Sequence, residues 1–234
     1  MKHEQEQAVL HKESSILDAT LQRRSFLQYA GAGLAGVALV AAGCKKDRSF
    51  TSENGVNLGS GDIGILNYAY ALEQLEAAFY TQVIKTQFSG ITSAEVALLT
   101  DIRDHEVAHR EFFKNAIGDS AIPGLEVNFS SIDFNSRASV LGTAKAFEDL
   151  GVSAYNGAGK LIKSSTYLTI AGQIVSVEAR HAALIRDLIF NGTFADNTVV
   201  NAMGLDTSRT PAQVLAIASA YVKTNINASN LPTS

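Results

Sequence analysis

The stretch SVEARHAA, residues 176–183, places Glu178 and His181 three positions apart inside an otherwise apolar run. Residues at that spacing share one face of a helix. An acid buried on such a face without a partner is costly, so the pair needs company. The chain supplies a second copy. DHEVAHRE, residues 104–111, carries Glu106 and His109 at the same spacing. A carboxylate oxygen beside an imidazole nitrogen suits iron or manganese. Of the three histidines beyond the first fifty residues, two follow a glutamate by three positions.

Both pairs sit in segments with a helical period. Working outward, four long helices are predicted, over 62–88, 92–117, 135–163 and 167–191. Asp62 is the candidate N-cap of the first. Thr92 with Glu95 forms a capping box for the second, and Gly118 and Gly192 are stop signals for the second and fourth. TPAQVLAIASAYVKT, residues 210–224, predicts a shorter C-terminal helix. The links between helices one and two and between three and four are short, which implies antiparallel hairpins. The stretch between helices two and three has no helical period. A connection that long lets the third helix start from the far end of the bundle. The fold class is therefore all-α, a four-helix bundle of two antiparallel hairpins joined by one long crossover. An up-and-down bundle and a helical repeat are the alternatives.

The first and third helices contribute a second matched pair of motifs. LEQLEAAFY, residues 72–80, has Glu73 and Tyr80 seven apart, and FEDLGVSAY, residues 147–155, has Glu148 and Tyr155 seven apart. Seven residues is about two turns, so each Glu shares a face with its Tyr. Glu73 and Glu148 are separated by 75 positions, as are Tyr80 and Tyr155, while Glu106 and Glu178 are separated by 72. The chain reads as a duplicated helical hairpin whose two-fold axis gathers four carboxylates and two imidazoles. Such a set carries about −4, which two divalent ions cancel. The expected metal ligands are Glu73, Glu106, His109, Glu148, Glu178 and His181. Glu76 competes with Glu73, but the Tyr80 spacing and the parallel with Glu148 favour Glu73 and leave Glu76 peripheral or just behind the ligands. Asp149 is expected in solvent, His105 on another face, either exposed or supporting a ligand, and Asp104 or Asp187 as groups that orient a histidine.

One Glu from each of two helices and Glu-x-x-His from each of the other two is the carboxylate dimetal design. With these motifs, residues 62–192 resemble the ferritin-like superfamily. Among these they look like the exported ferritin-like domain proteins, some of them labelled desiccation-related. The resemblance implies two iron ions, with two manganese ions as the alternative. It also implies that Tyr80 and Tyr155 lie beside the metals as catalytic side chains. No rubredoxin-like cysteine module is present.

The first fifty residues read as an address. QRRSFLQ, residues 22–28, followed by a short glycine-rich apolar run and AAGC ending at Cys44, resembles a twin-arginine signal joined to a lipobox. Residues 45–61 read as a flexible tether. Lipid attachment through Cys44 and a cell-envelope or periplasmic location follow as expectations, an uncleaved N-terminal anchor being the alternative. The 234 residues carry a formal charge of −4 with 46% hydrophobic residues and one cysteine. That composition fits one folded body and no intrachain disulfide, and it lacks the basic character of a nucleic-acid surface. The expected partners are metal ions and oxygen or peroxide, with a homo-oligomer compatible. An oxidase-type centre that oxidises iron(II) or removes peroxide is one functional expectation. A protective envelope protein whose metals only brace the bundle is the other. A tethered N-terminus argues against a closed storage shell.

Overall fold

The computed structural model describes residues 51–52 and 55–234. The expected signal region, with Arg23, Arg24 and Cys44, lies outside the described residues. Four long helices form: α1 (Gly61–Thr86), α2 (Ser93–Ile117), α3 (Arg137–Ala158) and α4 (Ser165–Ile189). A short α5 (Pro211–Ala218) follows. The local signals account for most boundaries. The Thr92–Glu95 capping box forms, with Glu95 N–H donating to Thr92 Oγ1 at 3.1 Å and Thr92 N–H donating to Glu95 Oε2 at 2.9 Å. Gly118 ends α2 at φ +60°, where a side chain would be strained. Thr210 and Gln213 form a second capping box, with Pro211 in the first turn of α5.

Three boundaries differ from expectation. Asp62 does not cap α1. Its carboxylate accepts from the backbone N–H groups of Lys163 and Ser164, both at 2.8 Å, and pins the α3–α4 link to the start of α1. α3 stops at Ala158 and tightens into a 3₁₀ turn through Leu161. α5 is only eight residues long. Beyond it, Val222 pairs with Val127 of the crossover and Lys223 N–H donates to Glu126 O at 2.7 Å. Backbone pairing to the crossover takes the groups that a longer helix would use.

α1 packs along α2, and α3 along α4, as the two hairpins. The crossover of residues 118–136 returns to the start of α3 over α1. It is held there by Asn67, which accepts from Ile122 N–H at 2.9 Å and donates to Ser120 O at 2.9 Å. Gln74 accepts from Leu125 N–H at 2.8 Å in the same way.

A small sheet was not foreseen. β1 (Thr51–Ser52), β2 (Gly55–Asn57) and β3 (Ile226–Asn227) lie side by side in that order. The later part of the expected tether is therefore fixed. Val56 N–H donates to Asn225 O and Leu58 N–H to Asn227 O, and both side chains are buried. Two apolar residues in a polar run are enough to dock it. Among the described residues no helix is long and apolar enough to cross a membrane.

Several contacts hold the C-terminal extension to the bundle, among them Asn156 Nδ2 donating to Thr207 O at 3.0 Å. Asp149 is not in solvent. Its two oxygens accept from Arg186 Nε and Nη2 at 2.8 Å each, and Arg186 Nη1 donates to Thr198 at 2.9 Å. At another point α3 meets the backbone of residue 209, whose N–H donates to Ser153 O at 3.0 Å. A Cβ on Gly157 would fall 1.7 Å from Arg209 O. Gly157→Ala therefore forces the extension off α3. It is expected to cost about 1–3 kcal/mol by overpacking, measured by denaturant melts, with early proteolysis after residue 190.

Candidate metal centre

Each long helix sends one or two of the expected ligands into the apolar interior. Glu73 comes from α1, Glu106 and His109 from α2, Glu148 from α3, Glu178 and His181 from α4. All four glutamates are fully buried, and the histidines are 8% and 4% exposed. The i, i+3 spacing puts each Glu and His of α2 and α4 on the same inward stripe.

The six side chains meet as two interlocking sets. Glu73, Glu106, His109 and Glu178 form one, and Glu106, Glu148, Glu178 and His181 form the other. Within each set the donor atoms lie within 4.8 Å of one another. Glu106 and Glu178 belong to both. The two halves match closely. His109 Nδ1 lies 2.8 Å from Glu178, 3.5 Å from Glu73 and 3.8 Å from Glu106. His181 Nδ1 lies 2.8 Å from Glu106, 3.5 Å from Glu148 and 4.0 Å from Glu178.

Several of these contacts are short, yet they lack hydrogen-bond alignment. Both Nδ1 atoms, both oxygens of Glu106 and of Glu178, and Oε2 of Glu73 and Glu148 are buried with no hydrogen-bond partner. Buried polar atoms are almost always paired. Nine orphans among the described residues, eight of them in this cluster, are what a cation-binding donor set looks like. Donors about 2–2.3 Å from a common ion lie roughly 3–4.5 Å apart, which fits the observed separations. The residues present therefore fit a two-ion centre with two shared carboxylates.

The charge balance points the same way. Burial pushes the Glu73 carboxyl up to about 7 despite the pull of His109. Burial also raises Glu148, and it lifts Glu178 well above the carboxylate range with Glu106 adding repulsion. Glu106 is the exception: burial pushes it up, but His109 and His181 outweigh that and hold it at about 2. Burial lowers the imidazoles, yet the facing carboxylates win. His181 is pushed up to about 11 by Glu106 and Glu148, and His109 is raised by Glu73, Glu106 and Glu178. The cluster holds more negative charge than its burial tolerates, and protons or cations must compensate.

The tyrosines bond across the bundle instead of along their own helices. Tyr80 of α1 donates to Glu148 Oε1 of α3 at 2.5 Å, and Tyr155 of α3 donates to Glu73 Oε1 of α1 at 2.5 Å. These paired links set α1 antiparallel to α3. Each leaves the second oxygen of its glutamate facing the cluster. Glu73 is thus the α1 residue in the paired sets, and Glu76 lies outside both. Tyr155 also lines an apolar cleft, together with Leu66, Ala69, Leu72 and Phe113.

The group that orients a histidine is His105, not an aspartate. His105 Nδ1 lies 3.0 Å from His181 Nε2, with the rings 8° from parallel. A proton on His181 Nε2 can be donated there, which leaves Nδ1 for the cluster. Asp104 instead pairs with Arg103, and Asp187 accepts from Gly192 N–H. The sequence signal for His105 was weak, because the partner it meets is 76 positions away. The 72-residue offset puts Val177 at the matching position of the second half.

No curated protein matches the chain. The ferritin-like domain family matches residues 61–191, which span all four long helices and every residue of the cluster. With more than half its length covered, this chain belongs to the ferritin-like domain family.

Proposed function

We propose that the chain binds two ions of iron or manganese in this cluster and works as an oxidoreductase on iron(II), oxygen or peroxide. The observation that carries this reading is the sharing of Glu106 and Glu178 between two four-donor sets whose inward atoms have no other partner. Glu73 and His109 would complete one position, Glu148 and His181 the other. When bound, the ions would supply the one- or two-electron chemistry that no side chain here provides. Four carboxylates favour the more highly charged state of such ions. Tyr80 and Tyr155 hold Glu148 and Glu73 by hydrogen bonds, so those carboxylates keep their aim. The apolar cleft that Tyr155 helps to line would suit a small uncharged oxidant, and iron(II) would need another approach. We further propose that residues 1–44 direct export and attachment through Cys44, which would place this chemistry in the cell envelope.

The test uses the purified chain, loaded with iron(II) without oxygen and then exposed to oxygen or peroxide. The expected result is two ions per chain and repeated oxidation at catalytic rates. Two ions bound without turnover, together with a large fall in melting temperature on chelation, would assign the metals a bracing role instead.

A further inference from the structure

The 75-residue offset that carries Glu73 onto Glu148 and Tyr80 onto Tyr155 carries Glu76 onto Gly151. These two positions also face each other. A Cβ on Gly151 would lie 3.1 Å from Glu76 Oε1 and 3.7 Å from Glu178 Oε2. Residues that are both equivalent and adjacent lie on the axis relating the two halves. That axis exchanges Glu106 with Glu178 and Glu73 with Glu148, so it runs between the two donor sets. Space on it is limited: a side chain at 151 would press on the Glu76 carboxylate. The sequence resolves the conflict with one glutamate and one glycine. Glu76 is 4% exposed. No hydrogen bond among the described residues holds its carboxylate. Burial, and then repulsion from Glu178, Glu106, Glu148 and Glu73 in that order, pushes its carboxyl well above the usual range, so a nearby cation is what would hold it ionised. An alanine at 76 would suit the helix at least as well.

The geometry points to Glu76 as a fifth, charge-compensating carboxylate of the centre, seated in the gap left by Gly151 and selecting for the more highly charged pair of ions. This rests on reading the cluster as a two-ion centre. Four carboxylates balance two divalent ions, whereas five balance one divalent and one trivalent ion. Glu76 is outside the two close sets, so it acts through charge at short range. One extra positive charge about 5 Å from a carboxylate, at an effective dielectric of about 20, alters affinity by about two decades.

The experiment compares manganese(II) with gallium(III), a redox-inert trivalent ion, by competition against a chelator on the full chain. Wild type is expected to hold two manganese ions and to prefer gallium at one position. Glu76→Gln should keep two manganese ions and lower the gallium-to-manganese affinity ratio about 100-fold. Glu76→Asp, which keeps the charge, should stay within about tenfold of wild type. Gly151→Ala keeps every acid but pushes on Glu76 Oε1, and should move the ratio in the same direction as Glu76→Gln. A ratio within about threefold of wild type in Glu76→Gln overturns the inference alone. Should that variant fail to fold by circular dichroism, an unmoved ratio in Gly151→Ala overturns it. A wild type that holds fewer than two manganese ions overturns the two-ion reading and the inference with it.

Discussion

Glu106→Ala is expected to empty both ion positions together, whereas Glu73→Ala and His181→Ala each weaken one. Glu106 contributes to both four-donor sets, with oxygens 2.8 Å from His181 Nδ1 and 3.8 Å from His109 Nδ1. Removing it takes a ligand and a negative charge from each position. By the Coulomb argument each loses about two decades of affinity or more. Glu73 and Glu148 belong to one set apiece, so their loss leaves the other position nearly intact. Metal content after dialysis, read beside calorimetric titration, separates these patterns. Two ions retained in Glu106→Ala would refute the shared-carboxylate centre. The variant should still fold without metal. Glu106 is the one carboxylate of the cluster that His109 and His181 stabilise as a charge, so the variant's metal-free melting temperature should fall below that of the metal-free parent.

Chelation is expected to destabilise the chain strongly at pH 8 and weakly at pH 5. The sign follows from the buried acids. Glu73 titrates near 7 in the folded chain against an ordinary value of 4.5. Between those values the folded state holds a proton that the unfolded state has lost. Stability of the metal-free chain therefore falls as pH rises through that window, by about 3 kcal/mol for Glu73 alone. Glu148 and Glu178 are raised by burial and act in the same direction. His181, pushed up to about 11, contributes stability fully present below its ordinary 6.5 and lost as pH climbs through 11. It too weakens the metal-free chain on the alkaline side. Glu106, held near 2, contributes stability present above 4.5 and lost only as pH falls toward 2, outside this range. Bound cations reverse the trend, because they compete with those protons and bind more tightly as pH rises. Two sites filled at about a thousand times their dissociation constants add about 8 kcal/mol. For a chain of this size that corresponds to roughly 15 °C or more in Tm. Melting scans with and without chelator at the two pH values test it. An equal chelator effect at both would remove the linkage between buried acids and metal.

Much of the bundle was legible because its signals are local. The Thr92–Glu95 box, Gly118 and the apolar period of each helix act within a few residues. What failed did so through long-range pairing. Asp62 looks like an N-cap from its own neighbourhood, yet it bonds to residues 163 and 164. Asp149 reads as solvated by its angle from Glu148, but Arg186 of α4 reaches it. Residues 55–58 read as tether by composition, until residues 225–227 return to pair with them.

The sequence alone determined the four helices, their pairing as a duplicated hairpin, and the six polar side chains that converge. Spacing of three, seven and 75 residues carries that content, because helical periodicity converts sequence distance directly into direction. Tertiary structure decided how those side chains are connected. It made Glu106 and Glu178 the shared pair, sent each tyrosine to the opposite helix's glutamate, brought His105 against His181, and set Glu76 opposite Gly151. These relations depend on the antiparallel offset between α1 and α3 and on the depth at which helices pack. No residue's own neighbourhood encodes either quantity, because both emerge only when two faces bury each other.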